Sequence, residues 1–213
     1  PGPSGRLDDI DFITISSTGD ATDFGDLSTA TAHGCGASNQ TRCIMIGGGN
    51  SSGSLNIMQF VTISSTGNAQ DFGDTAIAQE HQGGASSPTR GLIAGGNPST
   101  ANAIQFITIS TTGNAQDFGD LQALGDVMMG GGMASPIRAI FAGNYTTTIE
   151  SVEIASTGNS KNFGDMTTSR GCPHSNTDSI RGVISGGYTP GSTNSMEYIQ
   201  IMTQGNGVDF GDL

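Results

Sequence analysis

The chain has 213 residues and a formal net charge of −12, with 7 lysines and arginines against 19 aspartates and glutamates. So few cations exclude a nucleic-acid backbone and an anionic membrane surface as partners, because both are held through clustered basic side chains. Its 3 cysteines form no metal-ligand spacing and no dense disulfide frame, and no apolar run is long enough to cross a bilayer as a helix.

The first residues, Pro1–Leu7 (PGPSGRL), put glycine at every third place with proline beside it. That is the pattern of a collagen-like triple helix where it ends, and a plain Gly/Pro linker shares the composition. Residues 1–9 read as this tail, closed by a solvated acidic junction at Asp8, Asp9 and Asp11, and residues 10–213 as the main domain.

Repetition then governs the chain. Thr62–Asp74 reads TISSTGNAQDFGD and Thr108–Asp120 reads TISTTGNAQDFGD, with looser copies ending at Asp26, Asp165 and Asp212. The phenylalanine of this phrase falls at Phe24, Phe72, Phe118, Phe163 and Phe210, spaced by 48, 46, 45 and 47 residues. Between the copies lies a second phrase: TRCIMIGGG from Thr41, TRGLIAGG from Thr89, IRAIFAGN from Ile137 and IRGVISGG from Ile180. A period of this length marks a propeller or a solenoid.

One unit shows the strands. Gly83–Ser86 is a short glycine-rich run, and Arg90–Ala94 is apolar and β-prone until Gly95-Gly96 stops it. Ala103–Ser110 (AIQFITIS) is a third strand, Thr112-Gly113-Asn114 a turn, and Ala115–Leu121 a fourth strand. The third strand is apolar on both faces, so the sheet is covered on both sides, as stacked propeller blades are. Glycine in the first strand suits the crowded edge where blades converge. A flat β-helix is the structural rival, and its usual repeats are shorter. Ile10–Leu27 supplies strands three and four only, so the expectation is an all-β propeller of four-stranded blades: four full units plus an N-terminal half-blade, which serves as a short fifth blade or is completed by another chain.

These residues resemble two groups of proteins. Arg181–Gly187 (RGVISGG) and Ser151–Ile154 (SVEI) look like the first and second parts of a kelch repeat, and Phe163 stands where kelch has tryptophan. The tyrosine of that motif is missing and phenylalanine replaces each tryptophan, so the likeness is kelch-like. The phrase TGNAQDFGDL together with the TRG-x-x-AGG strand resembles repeat proteins of tailed phages of marine bacteria, described as virion structural or tail-fibre proteins. The resemblance implies a non-enzymatic virion protein, a fibre, appendage or capsid-surface component, whose propeller head attaches to a host-surface glycan or protein. It also implies other virion proteins as partners and a homotrimer held by the N-terminal tract. A secreted bacterial lectin or adhesin, or a purely structural virion decoration, would share these features. No cofactor is implied.

Three residue sets are candidates for chemistry. Arg42, Arg90, Arg138 and Arg181 occupy one position in four units, and Asp26, Asp74, Asp120, Asp165 and Asp212 another. Repeated Arg–Asp bridges would serve the scaffold; a guanidinium ring would hold an acidic ligand. Paired aspartates such as Asp71/Asp74 offer calcium fewer oxygens than its loops normally gather. His33 and His81 lie nine residues before the repeated arginine, in register with Met129 and Cys172, and Cys35 and His174 lie seven before it. If the first strands line the axis, His33, Cys35, His81, Cys172 and His174 converge there as zinc-type ligands, or simply surround a wet channel. The loops between strands two and three vary most, and Asn50, Asn97, Asn144 and Tyr188 within them are the expected ligand-binding residues.

Overall fold

Short β-branched and aromatic runs, each stopped by glycine, asparagine or serine, make the fold wholly from strands. A computed structural model describes residues 6–97, 102–123 and 131–213, with no helix among them. Four four-stranded antiparallel sheets are arranged as a four-bladed β-propeller. Blade 1 comprises Cys35–Ser38, Arg42–Ile46, Ile57–Thr62 and Gln70–Asp74; blade 2 comprises Gly83–Ser86, Arg90–Ala94, Ala103–Thr108 and Gln116–Asp120. Blade 3 comprises Gly131–Ala134, Arg138–Ala142, Thr146–Glu153 and Lys161–Arg170; blade 4 comprises His174–Thr177, Arg181–Ser185, Ser195–Gln200 and Val208–Asp212. Leu7–Phe12 and Thr22–Thr31 form a two-stranded hairpin beside blade 1. The hairpin comes from the segment read as a half-blade, and the propeller has four blades rather than the expected five.

Alternation along each strand builds the core between blades. In blade 2, Ile93, Ile107 and Ile109 face blade 1, where they meet Ile44, Met58 and Phe72. Their neighbours Leu92, Ile104 and Phe118 face the other way, onto Phe141, Val152 and Ile154 of blade 3. Blade 3 repeats the pattern toward Ile184, Ile199 and Ile201 of blade 4. Each such side chain contributes about 1.5–3 kcal/mol on full burial, and a chain only 34% hydrophobic concentrates its buried apolar clusters at three seams. At the axis the first strands touch. A Cβ on Gly84 would lie 2.4 Å from the carbonyl oxygen of Gly36, and one on Gly132 would lie 2.3 Å from that of Gly84.

The recurring Asp-Phe-Gly-Asp phrase is a β-bulge. Met58 pairs with Gly73 and the next residue, Gln59, pairs with Asp71, so Phe72 is left out of the ladder. The same shift skips Phe24, Phe118, Phe163 and Phe210. Gly73 takes φ +135, which a side chain would strain. The bulge frees the phenylalanine carbonyl, which then accepts the N–H of the turn glycine in the next unit. Gly67 thus bonds Phe24, Gly113 bonds Phe72, Gly158 bonds Phe118 and Gly205 bonds Phe163, at 2.7–3.0 Å.

One difference from the sequence reading concerns the N-terminus. The first strand begins at Leu7, so Asp8, Asp9 and Asp11 lie within it rather than in a junction. The collagen-like Pro1–Gly5, like Met129 and the loop centre 98–101, lies outside the described residues.

Candidate functional site

The repeated arginines serve the scaffold, but aspartate is not their partner. Arg42 donates to the carbonyl of Ile109 at 3.2 Å, Arg90 to Ile154 at 2.9 Å and Arg138 to Ile201 at 3.0 Å, each time crossing to the next blade. Arg42 and Arg90 also lie over Phe60 and Phe106 at 4.5 and 4.6 Å. Within a blade the arginine starts the second strand and the aspartate follows the bulge in the fourth, away from the end of the sheet that holds the arginine. The backbone N–H groups of Asp26, Asp74, Asp120 and Asp165 instead donate to the side-chain oxygens of Asn68, Asn114, Asn159 and Asn206.

His33 and His81 do come together, with Glu80, which the sequence reading did not single out. Their rings stack at 4.2 Å and 21°, His33 Nδ1 lies 3.6 Å from Glu80 Oε2, and the His81 N–H donates to the His33 carbonyl at 2.7 Å. The ligand atoms of the three lie within 4.8 Å of one another. In-plane lone pairs of nearly parallel rings nonetheless cannot meet at one ion about 2.0–2.1 Å from each nitrogen, so this arrangement is a stacked pair rather than a metal cage. Burial, then the neighbouring His33, lowers the pKa of His81 against the opposing pull of Glu80.

Cys35, Cys172 and His174 do not join the two histidines. His33, His81 and Cys172 take φ +62, +63 and +49 in turns ahead of the first strands, so the strand alternation that would align His33 with Cys35 does not reach them. Cys35 packs against the seam between blades 1 and 2, where burial pushes its thiol up to about 12 and keeps it protonated. It pairs with Ile46, while Cys43 pairs with Ser38, and the three cysteines form no disulfide with one another.

The strongest candidate surface is the loop end of blades 3 and 4. Asn144 and Tyr145 take φ +61 and +54, a tight primed-type turn joining Arg138–Ala142 to Thr146–Glu153. Tyrosine is costly in that backbone region. Tyr145 is nevertheless 46% exposed and meets Tyr188, 51% exposed, edge to face at 6.5 Å. The Tyr145 ring lies so close over Gly171 that a Cβ there would be 2.5 Å from it.

Arg170 anchors both tyrosines. Its carbonyl accepts the N–H of Tyr145 at 3.2 Å. Its fully buried guanidinium donates to the carbonyls of Gly186 and Ser195, the two ends of the loop carrying Tyr188, at 3.1 Å each, and pairs with Glu197 at 2.6 Å. Tyr188 and Gly171 exchange backbone bonds at 2.9 Å.

The remaining expected residues lie at the same end. Asn50 accepts from Ser52 N–H at 2.8 Å inside a two-residue hairpin, and Asn97 bridges Glu80 through the backbone. Tyr188 was expected as a ligand contact; Tyr145 was not, although the N-Y pair in a short loop was the available signal. No protein-family model matches the chain, and no curated protein matches it.

Proposed function

We propose that this protein is a non-enzymatic binding propeller on the outside of a virion, a fibre, appendage or capsid-surface component that attaches to a host-surface glycan or protein. One observation carries the reading: two half-exposed tyrosines on adjacent blades are held by a buried arginine in loops that the regular scaffold does not need. The strained backbone under Tyr145 is the kind of cost that persists at binding sites. An edge-to-face aromatic pair presents a ring face with hydroxyls beside it, which suits the apolar face and hydroxyl rim of a sugar. The residues common to every unit are spent on bulges and inter-blade bonds, leaving the variable loops for recognition.

The virion assignment rests on the likeness of TGNAQDFGDL to phage repeat proteins and of Pro1–Gly5 to the end of a collagen-like stalk. Three heads on one stalk would multiply a weak affinity through effective concentration. Two experiments test this. Mass spectrometry of purified particles must find the chain, and a glycan array must register binding that falls when Asn50, Asn97, Asn144 and Tyr188 are replaced by alanine. Absence from the particle overturns the location; undiminished binding overturns the loop site.

A further inference from the structure

The inter-blade joint is directional, and among the described residues two ends of the stack meet no further blade and match each other. Each unit offers a head, made of its bulge phenylalanine carbonyl and its second-strand arginine. Each also offers a tail, made of its turn glycine and the carbonyl of the isoleucine that directly follows its third strand. Heads of blades 1, 2 and 3 are filled by the tails of the following blades.

The head of blade 4 is open. Phe210 is 48% exposed where its equivalent Phe72 is 1% exposed. A Cβ on the bulge glycine Gly211 meets nothing within 4 Å, whereas on Gly25, Gly73, Gly119 and Gly164 it strikes the next unit's turn glycine. Arg181 lies 4.5 Å over Tyr198, as Arg42 and Arg90 lie over Phe60 and Phe106, is exposed, and reaches no following blade. A mainly apolar pocket opens on this face between Arg181, Val183, Phe210 and Thr177.

The tail of the N-terminal hairpin is open too. Ile13 and Ile15 are 65% and 96% exposed, while their equivalents Ile107 and Ile109 in blade 2 are buried against the blade before. Ile15 and Gly19 stand where the other units place the carbonyl and the N–H that join blades.

We propose that a second copy of this chain fills the open head, its N-terminal hairpin docking on blade 4 as blade 2 docks on blade 1. The register assigns the bonds: Gly19 N–H to the Phe210 carbonyl, Ala21 N–H to the Asp212 carbonyl, Arg181 to the Ile15 carbonyl, and Asp20 accepting the Asp212 N–H in the role Asn114 plays for Asp74. Ile13 and Ile15 then cover Phe210 and Val183. Such a joint uses different patches on the two partners, so it propagates from chain to chain or closes a ring. It is independent of the tyrosine site and of any trimer made by residues 1–9, since it involves neither.

The test is sedimentation of the full chain over a range of concentrations, with a head variant (Arg181→Glu/Phe210→Asp) and a tail variant (Ile13→Asp/Ile15→Asp). All four side chains are exposed or half-exposed, and circular dichroism verifies that each variant is folded. The wild type associates with rising concentration, each variant weakens association by at least about tenfold, and an equimolar mixture forms a one-to-one complex, because each variant keeps one intact face. Association through the N-terminal tract would survive in both variants as a common baseline. A wild type that stays at that baseline, loss of association in only one variant, or a mixture that fails to pair overturns the proposal. So does a Gly19→Cys/Phe210→Cys cross-link that forms only within one chain.

Discussion

Phe72 stands outside its own strand ladder, and its carbonyl takes the N–H of Gly113 in the next blade at 2.7 Å. The relationship explains why the chain repeats Asp-Phe-Gly-Asp so closely. The bulge frees a carbonyl for the neighbour, turns the phenyl ring into the seam, and needs a residue without Cβ where the two backbones meet. A Cβ on Gly73 would lie 2.6 Å from the Gly113 backbone.

Gly73→Ala and Gly211→Ala separate the two demands on that glycine. Both force alanine to positive φ, +135 and +126, at a cost of about 1–3 kcal/mol. Only Gly73 faces another blade, so its variant loses about 1–3 kcal/mol more through overpacking. Urea denaturation of the two variants measures the difference.

Arg170 and Glu197 form a fully buried ion pair between blades 3 and 4, and the same positions between blades 1 and 2 are held by Gln79 and Gln105, whose side chains bond at 3.2 Å. Both first members also donate to a loop-base carbonyl, Gly186 for Arg170 and Gly95 for Gln79. Arg170→Gln alone leaves a buried carboxylate unpaired and costs about 3–5 kcal/mol. Arg170→Gln/Glu197→Gln recreates the neutral pair and recovers most of that loss, within about 1 kcal/mol of the wild type. Thermal melts of the three proteins verify it.

Acid destabilises the His33–His81 stack. The pKa of His81 is lowered on folding, so the unfolded chain binds its proton first. The stability this neutral ring supplies is present above the ordinary histidine value near 6.5 and declines as pH falls through it, toward the lower folded value. His81→Asn, which keeps a residue tolerant of positive φ, flattens the profile between about pH 7 and 5. Melting temperatures across that range give the comparison.

Much of this architecture is legible in the sequence. The period marks each blade, and Gly83–Ser86 and Arg90–Ala94 coincide with strands of blade 2. The bulge was hidden because Asp-Phe-Gly-Asp has strand-like composition, and only pairing reveals the skipped residue. Arginine and aspartate recur in step, yet recurrence says nothing of which ends of a blade they occupy. Glu80 escaped notice because Ala32 and Gly171 hold its place in other units. The tyrosines were the hardest to pair, since Tyr145 and Tyr188 lie in separate units and meet only when blades 3 and 4 stack.

The central claim is that Tyr145 and Tyr188 form the recognition surface. It is tested most directly by glycan-array binding of the wild type beside Tyr145→Ala/Tyr188→Ala, with Tyr198→Ala as the control on blade 4. Binding is expected to fall by at least about fivefold in the double variant, the loss of two stacking contacts worth roughly 0.5–1.5 kcal/mol each, and to persist in the control. Equal binding by the wild type and the double variant, both folded, would contradict the account.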